Sequence, residues 1–412
     1  MELSGFVGAN KELEQPLVDV VEKCLQANIE AGLPSPIFAT IVCERTEFAF
    51  VILRQLQQVM RGENGRFDRI LELAWKAIHT SSSEFRHALV TANASYYRSL
   101  LRIIYLVLHS DASKSNQPIE AAYMVLDILI LVVARGFEDL ATAAHSFPKM
   151  ANPEDIALVT AILQAALKLK GIEVIHEGLS THIADNGTIR VATTLYSWAE
   201  RLSENGDPVY GELSALFILE LSSVPLIAEQ LAIEGVLELL LSGSLSARIR
   251  RGVLPTTEPR LHAIWSRGLL PIALNLLAHI GPRISREVVA FLRYFTPQLK
   301  TTILAWQKRT VVTLSTINEA TTVLTIMAIL TRMGVNTVAE GLGLDKVALS
   351  AEVEYLLDHQ NYLKVLVAPT NLEEEELLKK DSGNGRENML VERVVTSLGT
   401  LQGLLAEDEM EE

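Results

Sequence analysis

Aromatic residues make up only 6% of this 412-residue chain, against 49% apolar residues in all. A core short of rings has to be built from Leu, Ile, Val and Ala, the composition of packed helices, and strand signals are correspondingly scarce. Cysteine is rarer still, with Cys24 and Cys43 the only two. Both fall in apolar helical patterns without a partner motif, which points to free thiols in a reducing compartment while leaving a disulfide between them open. No basic flank followed by an apolar h-region opens the chain, so no secretory signal is expected. The sequons at Asn93 and Asn186 then have no glycosylation to specify. The most apolar run, Ile128 to Ala134, lies between Asp127 and Arg135. It is far shorter than the roughly 20 residues a bilayer requires, which argues for a core helix and no membrane span.

Catalytic signatures are missing as well. There is no phosphate-binding G-x-x-x-x-G-K-[ST] loop, and Gly341 and Gly343 lack the preceding strand and third glycine of a dinucleotide site. His176 and His182 are six apart and do not share a helix face as metal ligands at i, i+4 would. No G-x-S-x-G elbow is present, and neither cysteine lies in a nucleophile motif. The expectation is a non-enzyme with no catalytic, metal or cofactor-binding residues, no cofactor and no small-molecule substrate.

Helical periodicity fills the space that these absences leave. Leu17, Val20, Val21, Cys24, Leu25 and Ile29 fall on one face, after Pro16 in a first turn where its missing N–H costs nothing. Further helices are expected at 36–60, 67–78, 84–109, 119–134, 153–169, 172–183, 189–202, 210–221, 225–234, 286–309, 310–333, 344–358 and 362–367. Asn152-Pro153-Glu154-Asp155 is a strong start signal, with an N-cap, a proline at N1 and acids in the first turn. Between Leu226 and Gly281 a pattern of short helix, glycine and longer apolar helix occurs twice, with Gly235 and Gly268 as the joints. Each glycine is expected to take a positive φ so that the second helix folds back on the first. A degenerate third copy runs from Ile183 to Ala199.

Such pairs cannot bury their own apolar faces and stack on neighbours of the same kind. The two glycines are 33 positions apart, short of the roughly 40 of armadillo or HEAT repeats, so the array is irregular. The fold class expected is all-α, a superhelical α-solenoid of irregular armadillo- and HEAT-like repeats with about eighteen to twenty helices. Its organisation is read as a solenoid over 1–368, an acidic and flexible segment over 369–388, a capping helix over 389–405 and an acidic tail over 406–412.

Charge is unevenly spread. Between Ser244 and Thr310 eleven Lys and Arg face two acids, Glu258 and Glu287, a local charge of +9 in a chain of net −14. Arg248, Arg250 and Arg251 form the tightest cluster, and Arg260 and Arg267 complete a candidate partner-binding patch. Guanidinium groups favour planar, bidentate contact with carboxylates or phosphates, so the patch suits an acidic partner helix or peptide. The competing reading is that these arginines pair with acidic faces of neighbouring helices. Nucleic acid is disfavoured by the acidity of the whole chain and the lack of a glycine-aromatic motif.

The stretches FAFVILRQLQQVM (48–60), LRIIYLVLHSDA (101–112), GELSALFILELSSVPLIAEQLAIEGVLELLLSG (211–243) and LLDHQNYLKVLVAP (356–369) resemble the C-terminal part of the large scaffold nucleoporins of the fungal inner ring. These are karyopherin-like α-solenoids, and of their two paralogues the smaller is the better likeness. The resemblance reaches to about Pro369. It implies a fragment of a much longer chain and a structural role in the inner ring of the nuclear pore complex, in the nuclear envelope. It also implies other nucleoporins as partners, among them a linker nucleoporin bound through a short helical segment, in support of nucleocytoplasmic transport. An importin-like transport receptor or adaptor, and a HEAT-type scaffold subunit of an enzyme complex, are the alternatives. An importin-type groove calls for regularly spaced Trp, whereas the four here stand at 75, 198, 265 and 306.

Overall fold

A computed structural model of the chain describes residues 14–31, 36–59, 68–79, 94–111, 119–149, 151–202, 206–307, 311–335, 346–379 and 388–411. The start of the helix expected over 84–109 (residues 84–93), the glycine pair at 341 and 343 and residues 380–387 of the expected flexible segment lie outside these residues. The chain divides into two compact units, Met1–Val191 and Ala192–Glu412.

The first unit opens with α1 (Glu14–Ala31), α2 (Pro36–Val59), α3 (Asp68–His79) and α4 (Ala94–Asp111). α1 packs on α2 and α3, and both of these pack on α4. The buried face of α1 is Val18, Val21, Leu25 and Asn28, about one residue round from the apolar stripe read in the sequence. Asn28 explains the rotation: its Nδ2 donates to Thr46 Oγ1 at 2.8 Å inside the core, a bond that hydropathy alone does not register. Cys24 and Cys43 are free and half-buried, and burial pushes both thiols up.

α5 (Ile119–Ile128) runs into a π-helical turn, Leu129–Arg135, before α6 (Gly136–Ser146). Gly136 keeps right-handed helical angles where π winding returns to α. α7 (Pro153–Leu167) begins as expected, with Asn152 Oδ1 accepting from Glu154 N. Asp155 in its first turn accepts a bidentate pair from Arg98 of α4 at 2.6 and 2.7 Å. Gly171, at φ 82°, ends this helical run, and α8 (His176–Asp185) follows.

The second unit takes in most of α9 (Thr188–Leu202), followed by α10 (Val209–Ser222), α11 (Pro225–Ile233), α12 (Val236–Leu241) and α13 (Ser244–Ile249). Then come α14 (Pro259–Ala263), a π-helical turn at Ile264–Leu269, α15 (Leu270–Ile280), α16 (Ser285–Tyr294), α17 (Thr296–Gln307) and α18 (Leu314–Arg332). The expected helix over 286–309 is two helices, broken at Phe295. Pro297 is the reason: it cannot donate to the preceding turn and disfavours helical angles at Thr296. The Thr-rich helix starts at Leu314, not Thr310, because Thr313 and Thr316 form a reciprocal capping box. Just before it Val312 makes an isolated parallel bridge to Val367.

The glycine tandem is only half a tandem. Gly235 has φ 65° and joins α11 to α12, although α12 is the shorter helix of the pair. Gly268 is not a joint. It sits inside the π-helical turn, where an added Cβ would lie 2.8 Å from the Cβ of Ala215 on α10. The second glycine is there for close approach. The true counterpart of Gly235 is Gly187, at φ 59° between α8 and α9. These two joints are 48 positions apart (187 to 235), close to the repeat length of HEAT and armadillo units.

α19 (Lys346–Asp358), α20 (Gln360–Leu366), α21 (Leu372–Lys379) and α22 (Met389–Glu411) complete the unit. Asn371 Oδ1 accepts from Glu374 N while Glu374 Oε2 accepts from Thr370 N, so the first acid turn is a cap as well as a dipole partner. α22 packs on α18, α19 and α21 through Leu390, Val391, Val394, Leu398, Leu401 and Leu405, all at most 3% exposed. By length and hydropathy the helical run Pro259–Tyr294 and α18 could each cross a membrane, but half or more of the apolar window in each is buried against neighbouring helices.

Candidate partner-binding surface

The five arginines of the basic segment are divided by the fold. Arg248, at the end of α13, donates from Nη1 to Glu200 Oε1 and from Nη2 to Glu258 Oε1, both at 3.0 Å. Burial pushes the Glu200 carboxyl up, but hydrogen bonds from Ser244 and Arg248, with the charges of Arg248 and Arg251, more than offset this and hold it below the usual carboxylate range. Arg250 lies over the ring of Tyr294 on α16, 4.8 Å from its centroid. Arg251 is exposed and makes no direct ion pair among the described residues. Beneath this cluster the fully buried Tyr196 bonds Ser246 at 2.8 Å, and an added Cβ on Gly243 would lie 3.0 Å from the tyrosine ring.

Arg260 and Arg267 belong to a different feature. Together with Glu212, His262, Ser315 and the Thr370-Asn371 turn they line an open cavity of about 250 Å³. Arg260 pairs with Asp207 at 2.6 Å and with Glu212 at 2.9 Å. Burial raises the Glu212 carboxyl above its ordinary range, with Arg260 and Arg267 pulling it back down. Arg267 is exposed and, among the described residues, has no direct ion pair. It is the guanidinium that the cavity leaves available to a ligand.

The floor of the cavity is held from behind by a carboxylate that the sequence reading missed. Glu319 of α18 is 1% exposed. Its Oε1 accepts from Trp265 Nε1 at 2.8 Å, Thr302 Oγ1 at 3.0 Å and Gln298 Nε2 at 3.3 Å, and its Oε2 lies 2.9 Å from His262 Nε2. The other ring nitrogen of His262 faces Ser315 Oγ at 3.2 Å. Gln298 adds a two-way bond to the backbone of Val253, so the loop before α14 is tied into the same network. Every charged or polar group here has a partner, as a buried polar cluster requires. Trp265 is thus a core residue, stacked on Phe291 and tilted against Phe295, and not one rung of a binding ladder.

Of the patch read in the sequence, then, Arg248 and Arg260 are committed to carboxylates of the same unit and Arg250 to a ring. Arg251 and Arg267 face outward. The acids Glu200, Asp207 and Glu212 come from 48 to 53 positions upstream of the arginines they hold, beyond the reach of local pattern.

Helices that pack on their neighbours in irregular pairs, with no strand among the described residues, define the class of the α-helical solenoids. Residues 70–405 match the family described as the nuclear pore protein NUP188 C-terminal domain, and the chain belongs to that family. Nucleoporin NUP188 of Chaetomium thermophilum is 34% identical over 71% of this chain, and nucleoporin NUP188 of Saccharomyces cerevisiae 28% identical over 90%. A solved structure of residues 1445–1827 of Nup188 from Myceliophthora thermophila covers 82% of this chain and is itself 98% covered, at 31% identity and a TM-score of 0.69. The chain spans 17% and 25% of the two curated relatives. Membership places it at the nuclear pore complex of the nuclear envelope.

Proposed function

We propose that this chain is a non-catalytic scaffold module of the inner ring of the nuclear pore complex, which binds helical segments of other nucleoporins and so supports nucleocytoplasmic transport. The observation that carries the reading is the family match over residues 70–405, joined by a second unit whose outward charges are sorted by sign. Within it, residues 1–368 form the binding array, 369–388 an acidic connecting segment, 389–405 the cap and 406–412 the acidic end. The linker nucleoporin docks a short helix whose apolar anchors follow i, i+3, i+4 and i+7 spacing. Acidic residues of that helix meet Arg251 and Arg267, while Arg248, Arg250 and Arg260 hold the surface in place.

The test has two arms. In a pulldown from nuclear-envelope extract, other nucleoporins are expected with the chain; a phosphatase or kinase core in their place overturns the scaffold reading. In a binding titration at low salt, Arg251→Glu with Arg267→Glu is expected to weaken a linker-nucleoporin helix roughly tenfold, since desolvated charge pairs at an interface couple by about 1.5 kcal/mol or more. Unchanged affinity in that variant, and in one reversing Arg248, Arg250 and Arg251 together, removes the arginine surface from the contact.

A further inference from the structure

Immediately before the basic segment the charge reverses. From Leu202 to Ala247 the chain has no Lys, Arg or His and seven acidic residues. Asp207 and Glu212 of these are turned to Arg260. Glu229, Glu234 and Glu238 are not: they lie on or beside α11 and α12 and form no ion pair among the described residues.

The same element exposes apolar surface. α11 buries Ile227, Ala228 and Leu231, its core face. On the opposite face Leu226, Glu229 and Ile233 stand at i, i+3 and i+7, with Leu226 43% and Ile233 84% exposed. One joint later Leu239 of α12 is 40% exposed beside the exposed Glu238. An isoleucine left almost wholly in water at the end of a helix that is otherwise well packed is surface without a structural use. Its only charged neighbours in sequence are acidic.

We infer that the outer face of α11, with the adjoining turn of α12, is a second docking surface, whose occupant is a basic amphipathic helix. Apolar side chains of that helix cover Leu226 and Ile233, and its flanking Lys or Arg residues meet Glu229, Glu234 and Glu238. Charge complementarity selects this occupant. An acidic helix, an anionic lipid surface or a nucleic-acid backbone would be repelled by the same carboxylates. The surface is separate from the arginine site and of opposite sign, so the second unit can hold two segments of different polarity.

The experiment uses the full chain and a fluorescent Leu/Lys peptide of about 18 residues, long enough to form a helix on binding, with its leucines at i, i+3, i+4 and i+7. A peptide of the same composition in scrambled order and a Leu/Glu peptide are the controls. Binding of the Leu/Lys helix is expected to weaken roughly tenfold in Ile233→Ser and again in Glu229→Lys, and to be unaffected by Arg251→Glu with Arg267→Glu. Ile233 and Glu229 are exposed, so neither change disturbs the core. The proposal is overturned if the scrambled peptide binds equally well, if Ile233→Ser leaves affinity unchanged, or if the Leu/Glu peptide binds in place of the basic one. Loss of binding in the arginine variant would likewise overturn it, by moving the site elsewhere.

Discussion

Glu319 shows how much one side chain organises. Four donors from α14, the following π turn and α17 converge on its carboxyl, and of these Gln298 also donates to the Val253 carbonyl at 3.0 Å. Glu319→Ala therefore strands several buried donors and is expected to cost about 3 kcal/mol or more in a denaturant titration, since each unsatisfied buried group costs about 1–3 kcal/mol. Glu319→Gln is expected to cost much less. Its amide oxygen can serve Trp265 and Thr302, and its NH2 can donate to His262 once the imidazole proton moves to Nδ1 and bonds Ser315. A second residue-scale effect concerns acid. Burial holds the His176 imidazole below its ordinary range, opposed by Glu173. The fold thus prefers the neutral ring, whereas the unfolded chain takes up the proton readily. Stability from this site is intact above about pH 6.5, falls as the pH drops below that value, and levels off once the folded ring is also protonated. His176→Gln is expected to flatten that part of the stability-versus-pH curve.

The two glycines once read as equivalent give a test at the level of the element. Gly235 has a positive φ and nothing within 4 Å of an added Cβ, whereas Gly268 is helical and pressed against Ala215. Asn visits left-handed angles readily, so Gly235→Asn is expected to fold with a loss of well under 1 kcal/mol. Gly268→Val overpacks a rigid contact and is expected to lose about 2–3 kcal/mol by thermal or denaturant unfolding. The contrast marks what the sequence can and cannot disclose. The positive φ at Gly235, the cap at Asn152 and the leucine stripe of α22 follow from local chemistry, and all are visible in the chain. The close approach of Gly268 to α10 depends on a residue 53 positions away, as does the pairing of Arg260 with Asp207. Local pattern distinguishes neither a joint from a contact glycine nor an available arginine from a committed one. The two π turns were likewise invisible, because a single extra residue per turn leaves an apolar stripe almost unchanged.

Across the whole molecule the acidic excess keeps nonspecific anion binding low, while the sign of the charge alternates within the second unit. That unit must also end somewhere. A stack of helices that are apolar on both sides stays exposed at its last member unless something covers it. α22 is that cover. Six of its side chains are buried against α18, α19 and α21, and at about 1.5–3 kcal/mol each their transfer from water amounts to roughly 9–18 kcal/mol before the entropy of ordering the helix is subtracted. Truncation after Asn388 is therefore expected to abolish cooperative unfolding of the second unit and to drive association through the uncovered faces of α18 and α19, read by calorimetry and light scattering. Truncation after Ala406 keeps Leu405, the last buried apolar side chain of α22 among the described residues, and is expected to leave the melting temperature within a few degrees of the full chain. If the chain ending at Asn388 melted cooperatively and stayed monomeric, α22 would be an appendage on a stack already closed by α18, α19 and α21.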